Sequence, residues 1–213
     1  MKRINRQEVH FQKGMATIEQ TKKWIKEECQ QMPGVCFIGR SNVGKSSLIN
    51  ALFGNNIAKV SQTPGKTREI NVFTAQGRDV DSGEVSPFWL IDLPGYGYAK
   101  ASKSVIKKWQ ELMNYFFENA PKNLLMISMR DARHPDQDSD QVFMDYLKEF
   151  DRPFVTVLNK LDKLKTQKDK AGLKKFSEKF KEDFGTKPFK VSAQRRDNLQ
   201  TLENYIIEHI ENN

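Results

Sequence analysis

The feature that most constrains the fold is a glycine-rich segment, residues 39–46, which fits the pattern G-x-x-x-x-G-K-[ST]. It directly follows an apolar run at residues 35–38 and precedes a segment of helical character at residues 45–53. In such a loop, backbone N–H groups wrap a phosphate, and the following helix turns its positive N-terminus toward the anion. The pattern therefore predicts a phosphate-binding loop between a buried strand and a helix.

Short apolar runs alternate with amphipathic stretches along the rest of the chain. Further strands are predicted at residues 70–75, 88–91, 124–129, 154–158 and 188–191. The glycines and aspartates between the first two runs make them a hairpin. We therefore predict an α/β fold: a mostly parallel sheet of about six strands, one of them antiparallel, with helices on both faces.

A length of 213 residues suits one domain. Residues 1–33 are polar and are predicted to be an N-terminal extension, and residues 34–213 to be the nucleotide-binding domain. The sequence contains no apolar run of the length that spans a bilayer and no secretory signal pattern. Its two cysteines, Cys29 and Cys36, are interpreted as reduced thiols, so we expect a cytoplasmic protein.

Two residues at the end of the phosphate-binding loop have specific predicted roles. Lys45 is expected to reach the β- and γ-phosphates of a nucleotide, and the Ser46 hydroxyl to ligate Mg²⁺. The alternative is an ordinary strand–turn–helix, which matches the pattern by chance in roughly 1% of chains this long.

The segment Asp92-Leu93-Pro94-Gly95 follows the run at residues 88–91. A carboxylate at the carboxyl end of a strand can hold Mg²⁺ through a water, which is the predicted role of Asp92. The N–H of Gly95 is expected to meet the γ-phosphate. The pattern D-x-x-G is common, and its place at the edge where ligands bind in open α/β sheets gives it weight.

The segment Asn159-Lys160-Leu161-Asp162 follows the run at residues 154–158. A carboxylate such as Asp162 can accept two hydrogen bonds from N1–H and the exocyclic amine of guanine, whereas adenine would leave it unpaired. Asn159 can tie loops together, and the stem of Lys160 can lie across the base. The alternative is a polar turn that has this composition by accident.

Two weaker motifs complete the set. Ser192-Ala193 follows the last predicted strand and would place a backbone N–H near guanine O6. A loop threonine is expected to ligate Mg²⁺ when a γ-phosphate is present, and Thr67 is a better candidate than Thr63, which is held by Pro64.

All these motifs occur in chain order, each at the carboxyl end of a predicted strand or in a connecting loop, so the sequence predicts a guanine-nucleotide site. The predicted GTP-binding residues are Gly39, Arg40, Ser41, Asn42, Val43, Gly44, Lys45, Ser46, Ser47, Gly65, Lys66, Thr67, Arg68, Glu69, Asp92, Leu93, Pro94, Gly95, Asn159, Lys160, Leu161, Asp162, Val191, Ser192 and Ala193. The predicted catalytic residues are Lys45, Thr67 and Gly95. The predicted Mg²⁺ residues are Ser46, Thr67 and, through a water, Asp92.

The longer runs around these motifs resemble the EngB family (also called YihA or YsxC) of translation-factor-related small GTPases. The resemblance rests on the phosphate loop extended to Asn50, on residues 63–67 (TPGKT) and on residues 92–99 (DLPGYGYA). It implies a single P-loop GTPase domain that acts in assembly of the large ribosomal subunit and is linked to normal septation. The family usually has Thr where Asn159 stands, although Asn is common among GTPases at large.

Hydrolysis by this chain is predicted to be slow. Many GTPases carry Gln just after D-x-x-G, but here the residue is Tyr96, and no Gln or His follows before Gln110. We therefore expect a partner to accelerate the reaction. A second hypothesis is that Asn42 helps to hold a K⁺ ion, as an Asn at this position does in some GTPases.

Positive charge is concentrated in one part of the chain. Residues 160–190 carry eleven lysines and five acidic residues, which is +6 of the net charge of +8. Such a run is either a solvated helix face or a surface that meets a polyanion. With the resemblance, the run and Arg195-Arg196 are expected to contact ribosomal RNA. Tyr96, Tyr98 and Lys100 could also read RNA by stacking and charge, unless the tyrosines pack inside.

Three functions remain open at this point: a GTPase switch in ribosome assembly, a GTPase acting on another RNA or septum partner, and a non-enzymatic module whose shape depends on the nucleotide. The expected partners are GTP or GDP and the large ribosomal subunit. The protein is expected to be a monomer that binds the subunit through its basic surface. The expected cofactor is Mg²⁺, with K⁺ as a further candidate.

Overall fold

The structure, a computed structural model, describes residues 2–58, 69–97, 102–150 and 152–213. Its strands are β1 (Lys2–Ile4), β2 (His10–Met15), β3 (Gly34–Gly39), β4 (Ile70–Asp79), β5 (Val85–Asp92), β6 (Leu124–Asp131), β7 (Phe154–Asn159) and β8 (Phe189–Lys190). Its helices are α1 (Ile18–Glu27), α2 (Lys45–Phe53), α3 (Lys103–Asn119), α4 (Asp138–Lys148), α5 (Gln167–Phe184) and α6 (Leu199–Glu211).

The described strands form one sheet in the order β1-β4-β5-β3-β6-β7-β8, and β2 also pairs with β4. From β5 to β8 every neighbouring pair is parallel, whereas β4 runs antiparallel to β5 as the other half of the predicted hairpin. The predicted α/β class is confirmed. The sheet has eight described strands rather than about six, because residues 2–15 add β1 and β2, both antiparallel to β4.

Helices cover both faces of the sheet, as predicted. The central strand β3 divides its side chains between two cores, because successive residues of a strand point to opposite faces. Val35 and Phe37 pack in a core with α2 and α6. Cys36 and Ile38 pack in a core with α1, α3 and α4. Both faces of β3 are thus buried, which explains its continuous apolar sequence.

Residues 2–15 are joined to the body of the protein by a buried carboxylate. Glu203 on α6 is only 2% exposed. It accepts a hydrogen bond from the backbone N–H of Ile4 at 2.8 Å and forms an ion pair with Arg6 at 3.2 Å. The N-terminal edge strand is therefore fixed to the last helix, while the domain boundary at residue 33 stays a prediction.

Of the six described α-helices, α1 and α5 begin with a side-chain capping hydrogen bond, and the other four do not. Thr17 and Thr166 each form a capping box, with Gln20 before α1 and with Asp169 before α5. Gly44, the N-cap of α2, makes no side-chain capping hydrogen bond. The first N–H groups of α2 are therefore not capped by that residue, as an anion site requires. No helix among the described residues is long and apolar enough to cross a membrane.

Candidate nucleotide site

The phosphate loop lies where the sequence predicts it, between the end of β3 and the start of α2. Two of its glycines have no room for a side chain. A Cβ on Gly44 would lie 2.4 Å from Asn159 Nδ2, and φ there is +95°. A Cβ on Gly39 would lie 2.8 Å from the carbonyl oxygen of Met129. The absence of a side chain at these glycines thus allows the neighbouring strand and the Asn159 loop to lie close to the phosphate loop.

Lys45, the first residue of α2, and Asp92, the last residue of β5, form a nearly buried ion pair. The Lys45 ammonium contacts Asp92 Oδ1, and the two side chains are 10% and 6% exposed. Asp92 stands in register with Phe37 of β3, so the parallel pairing itself brings the carboxylate beside the loop. The pair places one positive and one negative group where a phosphate and a metal ion would meet.

The residues at this point suit the Mg²⁺ that the sequence predicts. Ser46 lies in the first turn of α2, and Asp92 presents a nearly buried carboxylate at the same end of the sheet. Hydroxyl and carboxylate oxygens are the donors that Mg²⁺ prefers. Lys45 now compensates the charge of Asp92, a role that a divalent cation could take over when Lys45 turns to a phosphate.

The D-x-x-G segment lies against the phosphate loop. The N–H of Leu93 donates to the carbonyl of Phe37 at 3.0 Å, and the N–H of Tyr96 donates to that of Gly39 at 3.2 Å. The N–H of Ser41 in turn donates to the carbonyl of Tyr96 at 3.0 Å. Gly95 has no room for a side chain, because a Cβ would lie 2.9 Å from the Gly39 carbonyl oxygen.

The hypothesis that Tyr96 offers an exposed ring to RNA is wrong. Tyr96 is 6% exposed, and its ring stacks on Phe143 of α4 with centroids 4.3 Å apart. Its hydroxyl donates to Asp140 Oδ1 at 2.9 Å. Burying the aromatic ring and pairing its hydroxyl are favourable, so the side chain points into the core. Tyr98 and Lys100 lie outside the described residues.

The predicted base-reading residues meet the phosphate loop. The Asn159 amide donates to the carbonyl of Val43 at 3.2 Å and accepts from the N–H of Ala193 at 3.1 Å. The Lys160 ammonium donates to the carbonyl of Asn42 at 2.5 Å. Three segments far apart in the sequence are therefore joined into one wall of the cleft.

Asp162 is held beside Ser192 in the same wall. The Ser192 hydroxyl donates to Asp162 Oδ1 at 2.7 Å, and the N–H of Leu161 donates to the carbonyl of Val191 at 3.2 Å. Desolvation opposes ionisation of Asp162, but hydrogen bonds from Ser192 and Lys163 outweigh it and lower the pKa of this carboxyl. Asp162 is thus a charged acceptor at neutral pH, as recognition of guanine requires.

One residue of this wall was not predicted from the sequence. Asp131, 5% exposed, ends β6 and accepts hydrogen bonds from Lys160 at 2.9 Å and from Arg133 at 2.6 Å. Although desolvation opposes its ionisation, the hydrogen bonds from these two cations lower the pKa of Asp131. Asp131 follows a buried strand just as Asp92 and Asn159 do, and that position is the signal that could have found it.

The remaining predicted residues are divided between the described and undescribed parts of the chain. Gly65, Lys66, Thr67 and Arg68 lie outside the described residues, so the role of Thr67 stays a prediction. Glu69 is described and exposed, and it immediately precedes β4. Ser47 is exposed on α2.

Part of the basic run lies on the outer surface of α5. Lys168, Lys175 and Lys179 are exposed and share one side of the helix, which we call the lysine face. Leu173 and Phe180, on the opposite side, are buried. The core contacts of α5 thus leave the lysine face to solvent.

Comparisons with known proteins agree with this geometry. A family model described as "50S ribosome-binding GTPase" matches residues 34–160. The "Probable GTP-binding protein EngB" of Prosthecochloris aestuarii is 40% identical over 178 residues, which cover 82% of this chain and 88% of the relative. The protein of the same name from Thermotoga maritima is 46% identical over 131 residues, 62% of this chain and 63% of the relative.

Solved structures share the fold. A crystal structure described as a probable GTP-binding protein engB has a TM-score of 0.61 at 28% identity, covering 84% of this chain and 99% of its own. Era in complex with MgGDPNP and nucleotides 1506–1542 of 16S ribosomal RNA has a TM-score of 0.66 at 24% identity. This chain spans 57% of the length of Era, and the likeness concerns the fold alone.

Proposed function

Since this chain belongs to the EngB family of GTP-binding proteins, we propose that it hydrolyses GTP slowly and acts as a switch in assembly of the large ribosomal subunit. The observation that carries the proposal is the cleft in which the phosphate loop, Asp92 and the Asn159–Asp162 segment meet. The name of the matching family, "50S ribosome-binding GTPase", supports the choice of partner.

The proposed chemistry needs positioning and charge neutralisation. Lys45 would turn from Asp92 to the β- and γ-phosphates, and the N–H of Gly95 would donate to the γ-phosphate. Mg²⁺, held by Ser46, Thr67 and, through a water, Asp92, would neutralise charge on the phosphate oxygens when bound. Asp162 would accept hydrogen bonds from guanine, and the N–H of Ala193 would face its O6.

The environment of Tyr96 supports a low intrinsic rate. This residue occupies the position after D-x-x-G where many GTPases carry Gln, and its side chain is directed at Asp140 inside the protein. It cannot orient an attacking water without leaving that site. We therefore expect a partner to supply the missing group or to move this segment.

The direct test is multiple-turnover GTP hydrolysis by the pure protein, alone and with separated large or small ribosomal subunits. The proposal predicts slow turnover alone and clear stimulation by large subunits only. Stimulation by neither subunit would favour a GTPase with another RNA or septum partner. Absence of any turnover under all three conditions would favour the non-enzymatic module.

We expect the lysine face of α5 to contact ribosomal RNA. Replacing Lys168, Lys175 and Lys179 together by Gln should weaken binding to the large subunit by about tenfold or more at low salt, because fewer counterions are released. The slope of log affinity against log salt should fall by about two to three units. Binding is measured by co-sedimentation at a series of salt concentrations.

A matched control removes the same charge elsewhere. Lys22, Lys23 and Lys26 are exposed on α1, and their replacement by Gln lowers the net charge equally. The control should leave the salt slope nearly unchanged. If both triple variants lose affinity equally, net charge alone drives binding and the lysine face has no special role.

We also keep the proposal that Asn42 helps to hold K⁺. Asn42 is exposed in the phosphate loop with φ of +65°. If K⁺ supplies charge at the γ-phosphate, replacing K⁺ by Na⁺ should lower turnover by about tenfold or more, and Asn42→Ala should abolish the difference. Equal turnover in the two salts would eliminate this idea.

The remaining proposals rest on the resemblance. We propose that residues 34–213 form the GTPase domain, that the protein is a cytoplasmic monomer, and that normal septation depends on it. Light scattering of the pure protein with GDP and with a GTP analogue tests whether the protein is a monomer.

A further inference from the structure

A buried carboxylate on α4 contacts both the phosphate loop and the segment that follows D-x-x-G. Asp140 is 0% exposed and accepts a hydrogen bond from the Tyr96 hydroxyl at 2.9 Å. Its Oδ1 also lies 3.7 Å from Nε of Arg40 in the phosphate loop. Asp140 therefore contacts one residue of each loop without reaching the cleft itself.

The buried polar atoms of this cluster lower the stability of the fold, because some of them lack hydrogen-bond partners. Arg130, a buried residue of β6, belongs to the same cluster, since its Nη2 donates to the backbone carbonyl of Asp140 at 3.4 Å. Asp140 Oδ2 and the Nε atoms of Arg40 and Arg130 have no hydrogen-bond partner among the residues that the structure describes. Buried polar atoms are almost always paired, and an unpaired one costs folding free energy. Replacing Asp140 alone by an apolar residue would leave the Tyr96 hydroxyl unpaired and remove a negative charge beside the buried Arg130, so the carboxylate is coupled to both groups.

The anchoring of Tyr96 determines where Gly95 stands. The backbone of Tyr96 forms two hydrogen bonds with the phosphate loop, through Gly39 and Ser41. Its ring is fixed against Phe143, and its hydroxyl is fixed by Asp140. The neighbouring Gly95 is held in close contact with the Gly39 carbonyl. A donor fixed before its ligand arrives binds more tightly than one that must be ordered.

We propose that Asp140 is a positioning residue for the γ-phosphate: by holding Tyr96 and Arg40, it fixes the backbone of Gly95 beside the phosphate loop and favours GTP over GDP. This inference rests on the proposed function, since it presumes that Gly95 donates to the γ-phosphate. GDP has no γ-phosphate, so its binding does not depend on this anchor.

The test compares two nucleotides on the same variants. We would measure the dissociation constants of GDP and of a non-hydrolysable GTP analogue for the wild-type chain, Tyr96→Phe and Asp140→Asn. Tyr96→Phe should bind the analogue about tenfold more weakly, because it removes a hydrogen bond to a charged group. Asp140→Asn should weaken binding of the analogue less, by about fivefold, because the amide oxygen still accepts from Tyr96 while the charge is lost. Both variants should bind GDP within about twofold of wild type. Unchanged GDP binding also shows that the variants are folded.

Tyr146→Phe is the matched control. Tyr146 lies on the same helix, belongs to the same aromatic cluster and donates its hydroxyl to Asn114 at 2.6 Å, away from both loops. It should leave both affinities unchanged.

Equal weakening of GDP and analogue by Tyr96→Phe and Asp140→Asn would make the cluster merely structural and overturn the proposal, as would no weakening at all. If the wild-type chain binds neither nucleotide, the proposed function itself fails.

Discussion

Asp162→Asn should weaken binding of GDP and GTP by at least ~100-fold, because two hydrogen bonds to a charged acceptor are lost. The Ser192 hydroxyl, which now donates to Asp162, keeps the side chain beside the base site. An asparagine there would present an amide N–H₂ toward the exocyclic amine of guanine, so two donors would face each other. The measurement is a direct binding titration with each nucleotide.

Xanthine nucleotides provide a rescue experiment for the same variant. Xanthine carries a carbonyl where guanine carries the exocyclic amine, so it can accept from the new amide. Asp162→Asn should therefore bind xanthosine diphosphate better than GDP, reversing the wild-type preference.

Asp183→Asn, a change of an exposed carboxylate on α5, is the matched control and should leave both affinities unaltered. Retention of GDP preference by Asp162→Asn would show that another residue reads the base.

Lys45→Met should lower the rate of GTP hydrolysis by about 10³-fold, because the ammonium neutralises charge that develops on the transferring phosphoryl group. Asp92 would be left nearly buried without its cation, and we expect the free energy of unfolding to fall by about 3 kcal/mol. Single-turnover hydrolysis and denaturant unfolding measure the two effects separately.

A double variant distinguishes loss of chemistry from loss of folding. Lys45→Met with Asp92→Asn removes both charges of the pair and should recover most of the stability while hydrolysis stays low. Lys179→Met, a change of an exposed lysine on α5, controls for the substitution itself. A Lys45→Met protein that hydrolyses GTP at the wild-type rate would contradict the proposed role of Lys45.

Local patterns were sufficient to predict which of the described residues meet at one edge of the sheet. The apolar runs before Gly39, Asp92 and Asn159 identified parallel strands, and the carboxyl ends of such strands meet at one edge. The structure brings these residues together as that rule requires, through the contacts of Lys45 with Asp92 and of Asn159 with the phosphate loop. The hairpin of β4 and β5 was likewise visible in its turn residues.

The N-terminal strands could not be predicted from periodicity. β1 has three residues, and most of β2 is exposed or half-buried, so neither shows a continuous apolar run or a regular alternation. They join the sheet because β4 offers an unpaired edge and because Glu203 fixes Ile4 and Arg6. Edge pairing of this kind depends on partners more than fifty residues away in the sequence.

The anchor of Tyr96 was also hidden from the sequence. Asp140 occupies the first turn of α4, where acidic residues are common because they favour the positive helix end. Its contact with Tyr96 joins residues 44 positions apart, and a single sequence has no local pattern for such a pair. A tyrosine after D-x-x-G therefore looked equally able to face RNA or the core.

We propose that the bound nucleotide controls binding of this protein to the large ribosomal subunit. The most direct test of this proposal is sedimentation of the pure protein with separated subunits, in GDP or in a non-hydrolysable GTP analogue, at two salt concentrations. We predict that the protein travels with the large subunit only in the analogue, and that high salt releases it. Binding to neither subunit in either state, or equal binding in both states, would contradict the account.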